Sequence, residues 1–295
     1  MKEFKENIFR FIITIGAALS GALVLLVFFY ILKESIPFLT KVNFKDFMFG
    51  DSWNPLSSNP SYSFFPMISA TIYVSFLSIA IVMPLGVGCA FFLSFCIKKS
   101  YSKIIMSFID MLAGVPSVIF GFLGLILLVK FMEKHLDMVT GESVLAGGIL
   151  LSIMLLPYVV TGCAETLEKG KDKYFYASQS LGVSKWYTMR KIMLPFAANS
   201  IFVNMLLAFS RAIGETMAVM MVMGNSPIFP RLLGRAETIP SLIALEMGTA
   251  EFQSTHYSSL YAAGLVLIVI ILIIQLIAYR LNKIGKQGDE NECEK

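Results

Sequence analysis

The sequence predicts an all-α, polytopic membrane protein with six transmembrane helices. Three observations carry that prediction: an apolar composition, six apolar runs of spanning length, and a one-sided distribution of Lys and Arg. Of the 295 residues, 56% are hydrophobic and 15% charged, whereas a soluble domain carries about a quarter charged residues. Mean hydropathy is +0.73. The net charge of +4 is too small to point to nucleic acid, so no such partner is expected.

Residues 1–10 form a short charged tail, followed by an unbroken apolar run at 11–32. That run is long enough for a bilayer core needing about 20 residues. It ends in Leu32-Lys33-Glu34 with no small-residue cleavage site, so it is expected to stay as an anchor. Residues 33–66 are polar and aromatic and are expected outside, with room for a short interfacial helix. Further apolar runs lie at about 67–97, 104–129, 144–163, 196–224 and 257–279. The division is therefore 1–66 (tail, first helix, external loop), 67–285 (a five-helix core) and 286–295 (a cytoplasmic tail expected to be disordered). Several runs carry Pro and Gly: Pro84, Gly86 and Gly88; Gly114, Pro116, Gly121 and Gly124; Pro157. They suit bends and close helix packing, or hinges and broken backbone beside a pathway.

Orientation follows from the positive-inside bias. With the N-terminus inside, the inner segments hold sixteen Lys and Arg and the outer segments six. Both termini and the 164–195 loop are thus expected in the cytoplasm. Cys89, Cys96, Cys163 and Cys293 show no disulfide or metal-site spacing and read as small hydrophobes. His135 and His256 fall in different external loops, so no metal site is expected, and surface contact is the reading for both. Asp110 and Glu165, near span ends, are expected to face water or headgroups, and the Met217, Met220, Met221 and Met223 patch to serve packing.

In the 164–195 loop, Tyr174, Tyr176, Leu181, Val183, Trp186, Tyr187, Met189 and Ile192 recur among charges. On a helix this spacing makes an apolar stripe, and Gly182 sits where one short helix could stop and another begin. The segment could lie on the membrane surface or dock a soluble subunit. The loop resembles the coupling motif of ABC-importer permeases, which runs Glu-Ala-Ala, three residues, Gly, nine residues, Ile, one residue, Leu-Pro. Here the positions fall on Tyr176, Ala177 and Ser178, then Gly182, Ile192, Leu194 and Pro195. Spacing is kept throughout; Tyr176 and Ser178 depart from the pattern. The resemblance implies that this loop seats in a cleft of an ATPase subunit. The chain has no Gly-x-x-x-x-Gly-Lys-Ser/Thr phosphate loop of its own.

Arg211 and Glu215 stand four apart in a run otherwise apolar from Ile201 to Met223, apart from Asn204, Ser210 and Thr216. A charge near mid-bilayer costs roughly 2.5–3.5 kcal/mol on insertion scales, so it faces a partner or a wet cavity. On one continuous helix the two would share a face, about 6 Å apart. They could neutralise each other, although Arg before Glu is the less favourable order. Alternatively, Arg211 could offer a two-pronged guanidinium to an oxyanion, with Glu215 holding or releasing it.

The stretch Ser210-Arg211-Ala212-Ile213-Gly214-Glu215-Thr216 resembles the signature of phosphate-specific ABC-importer permeases. Gly114-Val115-Pro116-Ser117-Val118 with Gly121-Phe122, and Thr238-Ile239-Pro240-Ser241 with Ala244-Leu245-Glu246, support the C-type subunit over its A-type companion. The resemblance covers roughly 60–280 and implies the type I ABC-importer permease (MetI-like) fold in a bacterial or archaeal cytoplasmic membrane. It implies a transport subunit rather than an enzyme, with Ser210, Arg211, Glu215 and Thr216 along the substrate pathway. The implied partners are an A-type permease, two copies of an ABC ATPase, an extracytoplasmic phosphate-binding protein and membrane lipid. ATP and magnesium would be used by those partners, and this chain would bind no cofactor. Two alternatives remain at this point: a same-fold permease for sulfate or molybdate, and an ion-driven carrier using Arg211 and Glu215 as a proton-linked pair.

Overall fold

The computed structural model describes residues 2–50, 52–136 and 138–293, with side chains except at 2–5, 7, 8, 44, 172 and 284–293. The expected disordered tail at 286–295 lies outside the residues whose side chains are described. The described chain is mostly helical, with irregular connections and a small hairpin, β1 (Trp53–Asn54) and β2 (Ser61–Tyr62). Among the described residues, five helices are long and apolar enough to cross a membrane, or six if one sharply bent pair counts as a span.

The first helix, α1 (Lys2–Lys41), extends past the expected 11–32 run at both ends. No residue of its most apolar window is buried inside the chain; Leu23, Val24 and Leu26 all stand exposed. Lipid is as apolar as these side chains, so such a helix needs no protein cover. It leans on the last helix, α13 (Thr255–Cys293), where the Tyr30 and Tyr261 rings meet edge to face at 5.8 Å.

The centre of the fold is the pair α3 (Phe65–Phe91) and α7 (Val144–Gly170), whose Val74, Val82, Leu151 and Leu155 are buried together. Gly86 and Gly148 let these helices close: a Cβ added at either would stand 2.6 Å from Val159 Cγ1 or Leu77 Cδ2. Pro84 and Pro157 lie inside these two helices without breaking them. The α7 helix runs seven residues beyond the expected end at 163 because Ala164 and Leu167 remain apolar and buried. Helix α10 (Leu194–Ile213) packs on α3, α7 and α13.

Two expected spans are not single helices. The 104–129 run divides into α4 (Lys99–Ala113) and α5 (Ser117–Leu123), which continues through a π-helical stretch, Gly124–Val129, into α6 (Lys130–His135). The two arms are bent by 92°. Pro116 lacks an N–H and holds an extended ψ of 139°, so no helical bond can cross it. The 196–224 run breaks as well, at Gly214–Thr216, into α10 and α11 (Met217–Val222).

Between α1 and α3, α2 (Phe44–Phe49) is the short helix for which residues 33–66 left room. It packs with the hairpin into an aromatic cap of Phe38, Phe47, Trp53, Tyr62 and Phe64. The Trp53 indole N–H donates to both Glu246 oxygens, at 3.0 and 3.1 Å, and His256 Nε2 meets Glu246 Oε2 at 2.7 Å. Glu246 ends α12 (Ile239–Glu246) and His256 begins α13, so three separate segments meet on one carboxylate. His256 is therefore buried rather than on the surface.

Candidate functional site

The 164–195 loop, expected in the cytoplasm, contains a helix, a left-handed glycine and a second helix. After α7 and a π-helical turn, α8 (Tyr176–Ser180) is followed by Gly182 at φ +76° and then α9 (Lys185–Thr188). The Gly182 N–H bonds Gln179 O at 3.0 Å, and the Val183 N–H bonds Ser178 O at 3.2 Å. No atom stands near where a Cβ would be at Gly182, so φ rather than space selects glycine. Ser184 starts α9 by accepting the Tyr187 N–H. Ser178, one of the two departures from the motif, is buried, and its hydroxyl meets that of Thr188 at 2.7 Å. This bond staples α8 to α9, which alanine at 178 could not do. Met193 is buried under a further π-helical turn, while Ile192 is half-buried. Leu194 and Pro195 open α10, where a proline in the first turn removes no helical bond. Tyr176, Leu181, Trp186 and Tyr187 project outward, and Ala177 is exposed beside them, so the loop presents an apolar face away from the bundle.

In the membrane, the two broken runs meet. Short α11 packs on α5, with Gly121 against the α11 backbone. A Cβ at Gly121 would stand 3.0 Å from Ala218 Cα and 3.3 Å from Met217 O, both backbone. Gly124 lies one turn on, against Val222 and Leu150. The break on the α10 side has no proline. Gly214 ends α10, and the Glu215 carboxylate accepts the Ala218 N–H at 3.3 Å, supplying a free donor of the next helix with a partner.

The four residues expected along the pathway consequently separate. Arg211 and Glu215 do not share a continuous helix face, and among the described residues they make no ion pair with each other. The expected geometry fails because α10 stops at Ile213, between them. Ser210 is buried and its hydroxyl returns to Leu206 O at 3.1 Å. Thr216 is half-buried and donates to Gly214 O at 3.4 Å. Arg211 is exposed, its guanidinium carbon 4.0 Å from the centroid of the Tyr158 ring. Tyr158 sits near the middle of α7, which places this contact near mid-depth of the bundle.

Asp110, four residues before the first break, accepts a hydrogen bond from Thr161 Oγ1 at 3.2 Å, three residues beyond Tyr158 on α7. It thus has a protein partner where only water or headgroups were expected. Tyr158 was visible in one respect: it is the single aromatic of residues 144–170. Among the described residues no three His, Cys, Asp or Glu side chains gather as a metal site.

Comparison with known proteins extends this picture. Residues 82–284 match the family described as binding-protein-dependent transport system inner membrane component. The chain is 36% identical over 246 residues to a probable ABC transporter permease protein, YqgH, of Bacillus subtilis, covering 83% of this chain and 77% of that one. It is 31% identical over 267 residues to the phosphate transport system permease protein PstC of Xylella fastidiosa, covering 82% and 81%. A probable PstC of Methanocaldococcus jannaschii is 33% identical over 229 residues, covering 71% and 72%. Among solved structures, a bacterial ABC transporter that imports the acidic polysaccharide alginate superposes with TM-score 0.62 at 17% identity, covering 97% of this chain and 99% of that one. The MetNI methionine ABC transporter, facing inward, superposes with TM-score 0.55 at 15% identity, covering 75% and 94%.

Proposed function

The chain belongs to the family of inner membrane components of binding-protein-dependent transport systems, and on that premise we propose that it is the C-type permease subunit of an ATP-driven phosphate importer. Relatives named as phosphate permeases, together with the Arg211 stretch, support the substrate. The single observation that carries the mechanism is an exposed arginine at a helix break that forms no ion pair among the described residues.

Phosphate carries one to two negative charges, and its entry into a low-dielectric path is opposed by desolvation. A guanidinium lowers that barrier by offering paired N–H donors to two oxygens. Release demands that the contact be transient, and a lone arginine without a closed cage of donors suits that. Glu215 acts in this scheme by capping α11 and so holding the break in shape, rather than by neutralising Arg211. Ser210 and Thr216 line the same break, with their hydroxyls turned to backbone.

The other parts are assigned from the loop. An A-type permease completes the pathway, two ATPase subunits seat the coupling loops of the pair, and an extracytoplasmic phosphate-binding protein delivers substrate. ATP and magnesium act in the ATPases, and closure of those subunits draws the α8–α9 loops together and opens the cavity outward. Both termini lie in the cytoplasm, consistent with the Lys and Arg distribution. Residues 286–295 form a cytoplasmic tail beyond the 67–285 core.

The test is phosphate uptake by vesicles holding the full assembly, wild type against Arg211→Gln, with ATP hydrolysis measured in parallel. Losing hydrogen bonds to a charged group should slow uptake at least about tenfold while hydrolysis persists. Unchanged uptake would refute the pathway reading. Sulfate and molybdate uptake by the same vesicles separates phosphate from the same-fold alternative.

A further inference from the structure

We infer that Tyr158 is the positioning residue for Arg211: its ring face holds the guanidinium flat at the pathway and leaves the N–H edge free for the oxyanion. This rests on the pathway reading of Arg211. The guanidinium carbon is 4.0 Å from the Tyr158 ring centroid, which is stacking distance rather than an edge contact. An arginine can be fixed in two ways. A carboxylate fixes it by using its N–H donors, and the donors are then no longer available to substrate. An aromatic ring fixes it through its π-face, so all five donors remain. The chain uses the second way, since Glu215 is turned to the Ala218 N–H.

Placement supports the assignment. Tyr158 follows Pro157 and is flanked by Val159 and Val160, both buried, so its backbone is anchored in the core while its ring is exposed. Arg211 lies in the last turn of α10, where its neighbours Ser210, Ala212 and Ile213 are buried and its own side chain is exposed. The ring on α7 supplies a restraint for that exposed side chain. Because α7 also leads into the coupling loop through Gly170, a displacement of α7 during the transport cycle would carry the Arg211 contact with it.

The experiment uses the complete assembly in vesicles, with residue 158 replaced by Phe and by mono-, di- and trifluorinated Phe. These rings keep nearly the same shape while the negative face is progressively weakened, so folding and packing are held constant. Maximal phosphate uptake should fall stepwise along the series, by about twofold to thirtyfold overall, with ATP hydrolysis and the half-saturating phosphate concentration unchanged. In an Arg211→Gln background the series should be flat, because the cation is gone. A flat series in the Arg211 background, with Arg211→Gln itself impaired, overturns the positioning assignment and leaves the pathway reading standing. A fluorination effect that persists without Arg211 also overturns it. If Arg211→Gln transports normally, the pathway reading fails and this inference fails with it.

Discussion

The 164–195 loop and the Gly214–Thr216 break are both places where a helix stops and another starts, yet they stop for different reasons. In the loop the stop is local. Gly182 takes φ +76°, Ser184 caps the next helix, and nothing outside the segment is needed. At Gly214–Thr216 the local signals are weak, and α11 owes its place to the face that α5 offers across the Gly121 contact. The loop junction, proposed to dock an ATPase subunit, is thus encoded in its own residues. The α10–α11 junction, proposed to line the pathway, is held by packing against a second broken helix.

Four changes sharpen or break that contrast. Gly182→Val forces a β-branched residue into the left-handed region, costing roughly 1–2 kcal/mol locally. Since α8 and α9 would no longer present one face, ATP-dependent uptake should fall more than about tenfold while ATP hydrolysis becomes uncoupled; normal coupled uptake would dissociate the loop from drive. Gly121→Val should act on the other junction, lowering the stability of the purified chain by about 1–3 kcal/mol through contact with the Ala218 and Met217 backbone. Thermal unfolding in detergent reads it, and an unshifted Tm would show that α5 and α11 are already free to separate.

Ser178→Ala removes the Thr188 staple and should cost about 1 kcal/mol, seen as faster proteolysis of the 176–188 segment. Unaltered cleavage would leave the loop independent of that bond. The smallest effect is expected from Glu215→Gln. Gln keeps an acceptor oxygen for the Ala218 N–H, so uptake should stay within about twofold of wild type. A large loss would restore Glu215 as the charge partner of Arg211.

Glu237, beside the Glu246 of the aromatic cap, offers a pH test of a third region, one with a buried carboxyl. Glu237 is 4% exposed, and burial, reinforced by the nearby Glu246 charge, raises its pKa from an ordinary 4.5 to about 7. The folded chain therefore binds this proton more tightly than the unfolded chain. Stability from Glu237 is fully present below about pH 4.5 and is lost as pH rises through about 7. The Tm of the detergent-solubilised chain should fall across that window, and Glu237→Gln should flatten the slope. An identical slope in the variant would mean that Glu237 is ionised at lower pH than its burial implies.

Much of the fold was legible because lipid makes sequence rules strict: a spanning segment must satisfy its own backbone, so length and apolarity mark it. That logic found the helices and the loop, including the stop at Gly182. It failed where apolarity persisted across a break. Residues 104–129 and 196–224 read as continuous because apolar residues continue on both sides of each break. Pro116 was a visible warning, one that Pro84 and Pro157, which break nothing, made ambiguous. Spacing placed Arg211 and Glu215 together only under the assumption of one helix. His256 looked like a surface residue because its partner, Glu246, lies ten positions away across a loop.

By itself, then, the sequence determined the class, the apolar runs, the coupling-loop spacing and the presence of charge within the apolar 201–223 run, since each follows from local composition and period. Only the tertiary structure decided that Arg211 faces a tyrosine on α7 and that α11 packs on α5. Those outcomes depend on which helices touch, and the contact of α5 with α11 joins residues about a hundred positions apart. No local signal along the chain encodes such a contact; close packing of small residues selects it.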